Sequence, residues 1–460
     1  MTTTTAAQLP RPMSWALGSG TILQGLNSAV LAVALVSIGA DLGTGPATAW
    51  IVSALYLSAA VCSPTGGRLA DLFGPRRVYL VGLAITLVAS VAGPFVPSLE
   101  WLVADRFLLG VGTALQFPTA MAIIRREAQR RRTSPASALG VIALCGQTTA
   151  ALGPAVGGPI VAVWGWEGIF WVNVPMVANA AFWVLRTVPA DPPRASVGFV
   201  GTLRAIDPVG LVAFVATLAT LMLGLLSLET GARWWWFVAA AVGVVVLVLW
   251  SARSPQPFLD VRLLTRNPAL WRTCVRAMVT FVSFYTIFYG LPQWLEASRG
   301  LGPVGAGLLM VPVFGVGVVS TVVATRLGSR VPAHLLLVVG GAAMVAAGAL
   351  AVWAVTVDSP VWLFVLLGGL LGLPNGFNNI GNQLQLHSAV EQQQAGVASG
   401  LYRTSQYVGA ALAAVVVAAG VTPGGDDGIH ALGAWVGGIG LLLVLLSLAA
   451  LLVTRRSTAR

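Results

Sequence analysis

Long apolar runs separated by short polar loops fill the chain almost from end to end. An α-helix needs about 20 apolar residues to cross a hydrocarbon core of about 30 Å, and the runs are of this size. We count fourteen of them, with centres from Val30 to Leu443. The pattern therefore predicts an all-α integral membrane protein with fourteen transmembrane helices.

Composition agrees with a lipid environment. Of 460 residues, 57% are hydrophobic and 9% are charged, whereas an ordinary soluble domain has about 25% charged residues. A net charge of +11 would suggest nucleic acid in a soluble protein, but the arginines fall in short loops, where membrane topology explains them. We therefore expect no nucleic-acid partner.

The residue types that carry catalysis or bind metals are sparse. The three cysteines and three histidines show no spacing typical of a metal site, so we expect neither a metal nor a cofactor. The apolar runs also lack a nucleophile grouped with a general base. An intramembrane enzyme is therefore the least favoured function.

Charge alternates from loop to loop. One set of loops carries arginines, such as Arg76 with Arg77 and the run from Arg125 to Arg132, and the other set carries most of the acidic residues. Because arginine-rich loops stay in the cytoplasm, both termini are predicted to be cytoplasmic.

A weak internal repeat divides the chain. The loop from Gly67 to Arg77 has an echo at 326–330, and placing both at equivalent positions gives two six-helix halves with two inserted central helices. The predicted organisation is a cytoplasmic tail at 1–14, an N-terminal six-helix half at 15–190, the inserted helices at 205–252, a C-terminal six-helix half at 268–454 and a cytoplasmic tail at 455–460.

The loop Gly67-Arg68-Leu69-Ala70-Asp71-Leu72-Phe73-Gly74-Pro75-Arg76-Arg77 resembles the signature of the major facilitator superfamily. The resemblance covers essentially the whole chain and points to the fourteen-helix drug:proton antiporter branch, with the major facilitator fold. It implies a conformational latch between the halves, formed by Gly67, Arg68, Asp71, Gly74, Arg76 and Arg77. The alternative interpretation is a positively charged turn without a latch.

Two further segments resemble motifs of this superfamily. The run Gly153-Pro154-Ala155-Val156-Gly157-Gly158-Pro159 resembles the antiporter motif, for which Gly153, Pro154, Gly157, Gly158 and Pro159 are the matching residues; general small-residue packing is the alternative. The passage from Trp164 to Pro175 resembles an aromatic segment of the fourteen-helix branch.

Asp105 and Arg106 lie in the fourth span, followed by Gly110 and Gly112. This segment resembles a motif thought to assist proton handling. A charge at the centre of a membrane helix costs about 2.5 to 3.5 kcal/mol on insertion scales, so Arg106 should face a cavity or a partner. Asp105 could instead be a hydrated residue at the cavity mouth.

The first span departs from the branch. Its members usually carry an acidic residue in a segment that here is Leu26-Asn27-Ser28-Ala29-Val30. A carboxylate can take up a proton in a low-dielectric cavity, whereas the amide of Asn27 cannot titrate. Proton coupling through this position cannot be carried over.

Uncharged polar residues and one arginine are the candidates for a substrate cavity, because polar groups within a membrane turn inward. Four asparagines follow helical spacing in the twelfth span and form one face, for which contacts between helices are an equal alternative. The full set is Gln24, Asn27, Gln116, Gln147, Asn375, Asn378, Asn379, Asn382, Arg403 and Gln406.

The predicted function is secondary active export of small organic molecules, either drugs or natural products, by alternating access. The expected partners are a small-molecule substrate and the lipid bilayer, with protons left open, and the protein is expected to be a monomer in a bacterial cell membrane. The alternative is an uncoupled facilitator or a transporter of lipid-like amphiphiles.

Overall fold

The fold is given by a computed structural model. It describes residues 9–43, 47–133, 136–192, 198, 201, 206–230, 233–255, 257–259, 261–328, 330–390, 395–421 and 424–458. The regular elements of these residues are all helices, which confirms the predicted all-α class.

The described residues of the first part of the chain form nine α-helices, which we call the first bundle. They are α1 (Arg11–Ala32), α2 (Leu35–Leu42), α3 (Ala47–Phe73), α4 (Pro75–Ala92), α5 (Leu99–Ala114), α6 (Gln116–Arg131), α7 (Ala136–Trp164), α8 (Gly168–Trp171) and α9 (Asn173–Thr187), with a 3-10 turn at Gly93–Phe95.

Two helices and a short connecting helix follow: α10 (Pro208–Thr230), α11 (Trp235–Arg253) and α12 (Val261–Arg266). The last six helices form the second bundle. They are α13 (Pro268–Ala297), α14 (Pro303–Gly328), α15 (Ala333–Trp353), α16 (Val361–Ala389), α17 (Ala395–Val421) and α18 (Gly425–Thr458).

Eleven helical segments of the described chain are long and apolar enough to cross a membrane, and α1 with α2, bent by 64°, would be a twelfth. In this count α5 continues into α6 and α8 into α9. The helices α7 and α17 have 29 and 27 residues. They are described only in part and are not included in this count. A multi-helix membrane protein is therefore confirmed, while the number fourteen stays a prediction.

The two bundles pack internally and meet along a shared interface. In the first bundle α1 packs on α7 and α9, and α3 packs on α5; in the second, α13 packs on α17, α14 on α16 and α15 on α18. The most extensive contacts between the bundles join α3 with α17 and α7 with α14, and smaller ones join α13 to α1 and α2. The α3–α17 and α7–α14 contacts form two seams between the bundles.

Two faces of the molecule can be told apart by their contacts. At one, which we call the N-terminal face, Leu9 and Met13 pack with Ala128 at the end of α6 and Val188 after α9. At the other, the opposite face, the indole Nε1 of Trp166 donates a hydrogen bond to the carboxylate of Asp41 at 2.9 Å.

The inserted helices α10 and α11 pack mainly on each other. Only 28% and 17% of their membrane-crossing residues are buried, against 78% for α3, so lipid would cover most of their surface. The buried carboxylate of Asp207 holds their base together by accepting hydrogen bonds from the amide of Gly210 at 3.2 Å, the indole of Trp250 at 2.7 Å and the amide of Phe258 at 2.6 Å.

Candidate functional site

Four of the chain's six tyrosines meet where the two bundles face each other. We call Tyr56, Tyr285, Tyr289 and Tyr407 the tyrosine cluster. The hydroxyls of Tyr56 and Tyr289 are 3.0 Å apart, joining α3 of the first bundle to α13 of the second. The ring centroid of Tyr56 lies 4.7 Å from that of Tyr285 and 6.4 Å from that of Tyr407. The cluster places aromatic faces with polar edges across the interface.

Arg106 lies near this cluster and is completely buried. Its Nη2 donates a hydrogen bond to the backbone oxygen of Asn27 at 3.2 Å, and its Cζ lies 6.0 Å from the ring centroid of Phe170, within cation–π range. Its Nε and Nη1 are buried without a hydrogen-bond partner. Most of the hydrogen-bonding capacity of this guanidinium is therefore unused.

The charge of Arg106 also lacks a close counterion. Three ion pairs occur among the described residues, and Arg106 belongs to none of them. The adjacent Asp105 is buried with its Oδ2 unpartnered, because neighbouring residues on a helix point in different directions. A buried charge without an ion-pair partner is costly. A functional role for Arg106 and Asp105 stays a prediction.

Asn27 is hydrogen-bonded to another helix of the same bundle. Its Nδ2 donates to Oδ1 of Asn173 at 2.9 Å, and the Nδ2 of Asn173 donates back to Oδ1 of Asn27 at 2.8 Å. Both side chains are fully buried. This reciprocal amide pair ties α1 to α9 and satisfies groups that would be costly to bury alone. That Asn27 lines a cavity stays a prediction, since its side chain is enclosed in this structure.

Arg403 is a half-buried cation at the same interface. Its Nε donates to the hydroxyl of Tyr407 at 3.2 Å, and its Cζ lies 4.2 Å from the ring centroid of Phe117 in the first bundle. The hydroxyl of Tyr407 donates in turn to Oε1 of Gln24 at 3.0 Å. Two predicted cavity residues, Arg403 and Gln24, are thus brought together, and a third, Gln406, is buried on the same helix.

Three of the four asparagines of α16 contact three different neighbouring helices. Asn382 accepts from Nε of Arg276 at 2.6 Å on α13, and Nδ2 of Asn378 lies 3.4 Å from the sulfur of Met344 on α15. Asn375 packs against Gly317 of α14. Contacts between helices, the alternative interpretation, describe Asn378 and Asn382 well, and substrate binding by these amides stays a prediction.

Two further predicted residues contact side chains outside the tyrosine cluster, and the side chain of a third is not among those that the structure describes. Oδ1 of Asn379 accepts from Gln383 one turn further along α16 at 3.1 Å. Nε2 of the buried Gln116 donates to Oγ1 of Thr86 on α4 at 3.4 Å. The side chain of Gln147 lies outside the described residues.

The glycines of the antiporter-like segment give α7 two close helix contacts. A Cβ at Gly153 would lie 2.1 Å from Cβ of Ala29 on α1. A Cβ at Gly158 would lie 2.6 Å from the backbone oxygen of Pro303 on α14. Gly157 also faces α1, while Pro159 is exposed and the side chain of Pro154 lies outside the described part of the chain. The segment therefore packs α7 tightly between the two bundles.

The predicted latch loop is organised by a residue that lies far away in sequence, Asp191. Its carboxylate accepts from the amides of Arg76 at 3.3 Å and Arg77 at 2.9 Å, and pairs with Nη1 of Arg126 at 2.6 Å. It thereby supplies an anion to the first turn of α4. Gly74 has φ of +97°, and a Cβ there would lie 2.4 Å from the carboxyl carbon of Asp191. Both the backbone conformation and the close contact therefore favour glycine at this position.

The other residues of the loop reach different neighbours. Nη2 of Arg68 donates to the backbone oxygen of Pro257 at 2.6 Å, which joins α3 to the segment after the inserted helices. Nη2 of Arg76 donates to the backbone oxygen of Leu185 at 2.8 Å. Asp71 is exposed and Gly67 is half-buried. The latch between the bundles stays a prediction.

The seam between α3 and α17 is not uniform along its length. Oγ of Ser53 donates to the backbone oxygen of Ala411 at 3.0 Å, and Oγ1 of Thr404 donates to that of Ala60 at 3.5 Å. Further toward the N-terminal face, a Cβ added at Gly67 or Gly400 would meet nothing within 4 Å. The hydrogen bonds of this seam thus lie from the opposite face to the middle, and among the described residues no atom is close to the Cβ positions of Gly67 and Gly400.

Comparison with known proteins agrees with this architecture. Residues 17–414 match the family described as Major Facilitator Superfamily. The chain belongs to the Major Facilitator Superfamily. A superfamily relative, the "Uncharacterized MFS-type transporter YwoD" of Bacillus subtilis (strain 168), is 30% identical over 409 residues, which cover 87% of this chain and 88% of that protein.

Two further similarities concern an exporter and a solved fold. The "Tetracenomycin C resistance and export protein" of Streptomyces glaucescens is 29% identical over 425 residues, covering 89% of this chain and 75% of that protein. The crystal structure of nucleoside transporter NupG superposes with a TM-score of 0.63 at 16% identity, covering 95% of this chain and 98% of NupG. This superfamily member is therefore a transporter and not an enzyme.

Sequence reasoning missed three residues of the site. Tyr56 is a solitary polar aromatic in an apolar span, and Asn173 lies within the aromatic passage that resembles the fourteen-helix branch. Asp191 offered a better signal, because it is an acidic residue in a loop that the charge alternation assigns to the basic set. An acidic residue in an otherwise basic loop can indicate a specific basic partner, which here is Arg126.

Proposed function

We propose that this protein is a secondary active exporter that moves small organic molecules, such as drugs or natural products, by alternating access. The observation that carries the proposal is the α3–α17 seam, which is in contact near Ser53 and Ala411 and open near Gly67 and Gly400. Two bundles whose described seam contacts lie from one end to the middle can rock about their interface. The tyrosine cluster lies at the interface between the bundles, where a substrate would bind when they move apart.

The direction of transport is supported by relatives and by α7. The tetracenomycin C protein is named for resistance and export, and α7 carries the segment that resembles the antiporter motif. A transporter that is open to the cytoplasm can load its cargo there. The N-terminal face would be that side, because the basic loops at Arg76 and Arg126 lie on it.

The proposed topology has fourteen membrane-crossing helices, with both termini in the cytoplasm of a bacterium and the protein in its plasma membrane. Adding α7 and α17 to the twelve segments that pass by length and composition would give this number, with α10 and α11 as the inserted pair. Labelling of single cysteines introduced near Arg11 and Thr458 with an impermeant maleimide would test it. Labelling from outside intact cells would contradict the cytoplasmic assignment.

We also propose that the loop from Gly67 to Arg77 acts as the latch when the bundles rock. Asp191 and Arg126 hold the base of the loop rigidly on the first bundle, and Arg68 joins it to the segment after the inserted helices. A rigid loop at the moving edge of one bundle can dock in one defined position on the other bundle.

Transport in inverted membrane vesicles tests the export function. The exposed face is then the cytoplasmic one, so we expect energised vesicles with the protein to accumulate members of a panel of natural products and drugs above vesicles without it. A double substitution of Tyr56 and Tyr289 to Phe should reduce uptake, whereas Trp353→Phe at a site facing lipid should not. Failure of every compound to accumulate would contradict export.

A second candidate is uncoupled, facilitated movement of substrate, and one observation favours it. The position at which relatives of the fourteen-helix branch usually carry an acid is Asn27, whose amide is held by Asn173. Proton release upon substrate binding to purified protein in weakly buffered solution separates the two candidates. Stoichiometric release supports proton coupling through another group, such as Asp105, and its absence supports the uncoupled transporter.

A further inference from the structure

We infer that the transport site selects organic anions with an aromatic body, which would bind between the tyrosine cluster and the two arginines Arg106 and Arg403. This inference rests on the proposed export function and adds a substrate class to it. Four observations carry it: the unused donors of Arg106, the amide at Asn27, the position of Arg403, and the aromatic walls.

Arg106 has a charge and two nitrogens to offer a ligand. Its Nε and Nη1 are buried without partners, and its one hydrogen bond goes to the neutral backbone oxygen of Asn27. A buried guanidinium is ordinarily matched by a carboxylate or by several acceptors. Here that acceptor is missing from the described residues, so an anionic ligand would complete the site.

The side chain at position 27 determines whether that charge is available. Nη2 of Arg106 lies 3.2 Å from the backbone oxygen of Asn27, so an acidic side chain here would place a negative charge on a residue that the guanidinium contacts, and would offset its positive charge. The amide carries no charge and is turned toward Asn173. With an amide instead of a carboxylate at position 27, the positive charge of Arg106 remains available to a substrate.

The other buried charged residues near this interface form no ion pair with Arg106 among the described residues. Arg276 is matched by neutral acceptors, Asn382 and Gln385, on α16. Glu296 is buried near the end of α13, seven residues beyond Tyr289 and therefore about 10 Å further along the helix axis. Asp105 forms no ion pair with Arg106. Asp105 nevertheless interacts electrostatically with Arg106. Arg106 and Arg403 are two arginines that interact with members of the tyrosine cluster.

Arg403 lies where a substrate would enter from the N-terminal face. It is one turn from Gly400, beside which there is open space, and one turn from Tyr407, to which it is hydrogen-bonded. Its Cζ lies 4.2 Å from the ring centroid of Phe117, and a guanidinium over an aromatic face can still present its edge to a carboxylate. An anion could thus be met first by Arg403 and then by Arg106.

The aromatic side chains at this interface favour a ligand with a flat apolar body. The rings of Tyr56, Tyr285 and Tyr289 are within 6.4 Å of one another, and Phe284 and Phe288 pack behind Tyr285. Aromatic surfaces of this kind stack on aromatic ligands, and the phenol hydroxyls can bond to their polar substituents. Charge selection by the arginines and shape selection by the tyrosines are therefore combined.

Three probes of one shape and different charge test this inference: naphthoate, naphthamide and naphthylmethylamine. We expect purified full-length protein in detergent to bind naphthoate at least about tenfold more tightly than naphthylmethylamine in equilibrium dialysis. Arg403→Gln and Arg106→Gln should each weaken naphthoate binding about 10- to 100-fold, as for loss of a charge-assisted hydrogen bond, and leave naphthamide within about twofold. Arg272→Gln, which removes an exposed arginine, is the control.

Other outcomes overturn the inference. These are tighter binding of the amine, equal loss of naphthoate and naphthamide in the arginine variants, or no binding of naphthoate at all. Export of the natural-product panel by inverted vesicles is measured separately, so a failure of anion selectivity is distinct from a failure of export. If Arg106→Gln does not fold, the binding data for Arg403→Gln alone test the inference. Arg403 is half-buried and belongs to none of the ion pairs among the described residues, so its removal leaves no partner charge behind.

Discussion

Asn27 and Asn173 exchange two hydrogen bonds in the interior of the first bundle, and the backbone oxygen of Asn27 accepts from Arg106. The same residue therefore holds two helices together and fixes a buried cation. Because its side chain cannot titrate, any coupling of transport to protons has to pass through another group.

The first prediction concerns Asn27→Asp. The new carboxylate would lie beside Arg106 and could exchange a proton during the transport cycle, so the transport rate of the variant should depend more steeply on pH than that of the wild type. Asn173→Ala is the matched control, since it breaks the same amide pair without adding a titratable group. A pH profile identical to the wild type would count against this role for position 27.

The second prediction concerns Asp191→Asn. This change removes the ion pair with Arg126 and the anion at the first turn of α4. Because Arg126 is 24% exposed, we expect a loss of about 2 kcal/mol rather than the full cost of breaking a buried pair. Unfolding by a denaturing detergent measures it, with the exposed Asp427→Asn as control. Equal stability of both variants would show that the carboxylate is dispensable.

Among the elements, α7 and α14 form the tightest described contact between the bundles at the opposite face. Gly158 allows this approach, since a Cβ there would lie 2.6 Å from the oxygen of Pro303 and 2.9 Å from Cα of Val304. Both neighbours are backbone atoms, which cannot move aside by a change of rotamer.

The third prediction follows from that contact. Gly158→Ala should separate α7 from α14 at a cost of about 1 to 3 kcal/mol, which weakens the state that is closed at the opposite face. A cysteine introduced at Ser53 should then react faster with an impermeant maleimide. Gly315→Ala on α14, where a Cβ would meet nothing within 4 Å, is the control, and equal reactivity in both variants would refute the prediction.

At the scale of the whole molecule, the two bundles are joined by seams that differ along their length. The fourth prediction uses the α3–α17 seam, in a background with Cys62, Cys145 and Cys274 replaced by alanine. Cysteines at Ser53 and Ala411 should form a disulfide without substrate, while cysteines at Gly67 and Gly400 should require substrate turnover. A disulfide at the second pair in the resting protein would contradict an opening toward the N-terminal face.

Much of the architecture could be predicted from the chain because apolar span length and loop charge are local properties. The α-helical class, the superfamily and the presence of an arginine within a membrane span at Arg106 follow from such patterns. The partner of Asn27 could not, because Asn173 is 146 residues away and the pairing depends on how α1 packs against α9. The asparagine face of α16 exists as predicted by helical spacing, but one face is wide enough to meet several neighbouring helices.

Asp191 has one more consequence, for biosynthesis. The carboxylate that fixes the loop between α3 and α4 lies after the last helix of the first bundle, so this loop stays incomplete until the ribosome has made the whole bundle. Because chains emerge from the N-terminus and their domains fold as units, Asp191 would close the first bundle before α13 is synthesised. A nascent chain stopped just before Asp191 should therefore be degraded more rapidly than one stopped just beyond it.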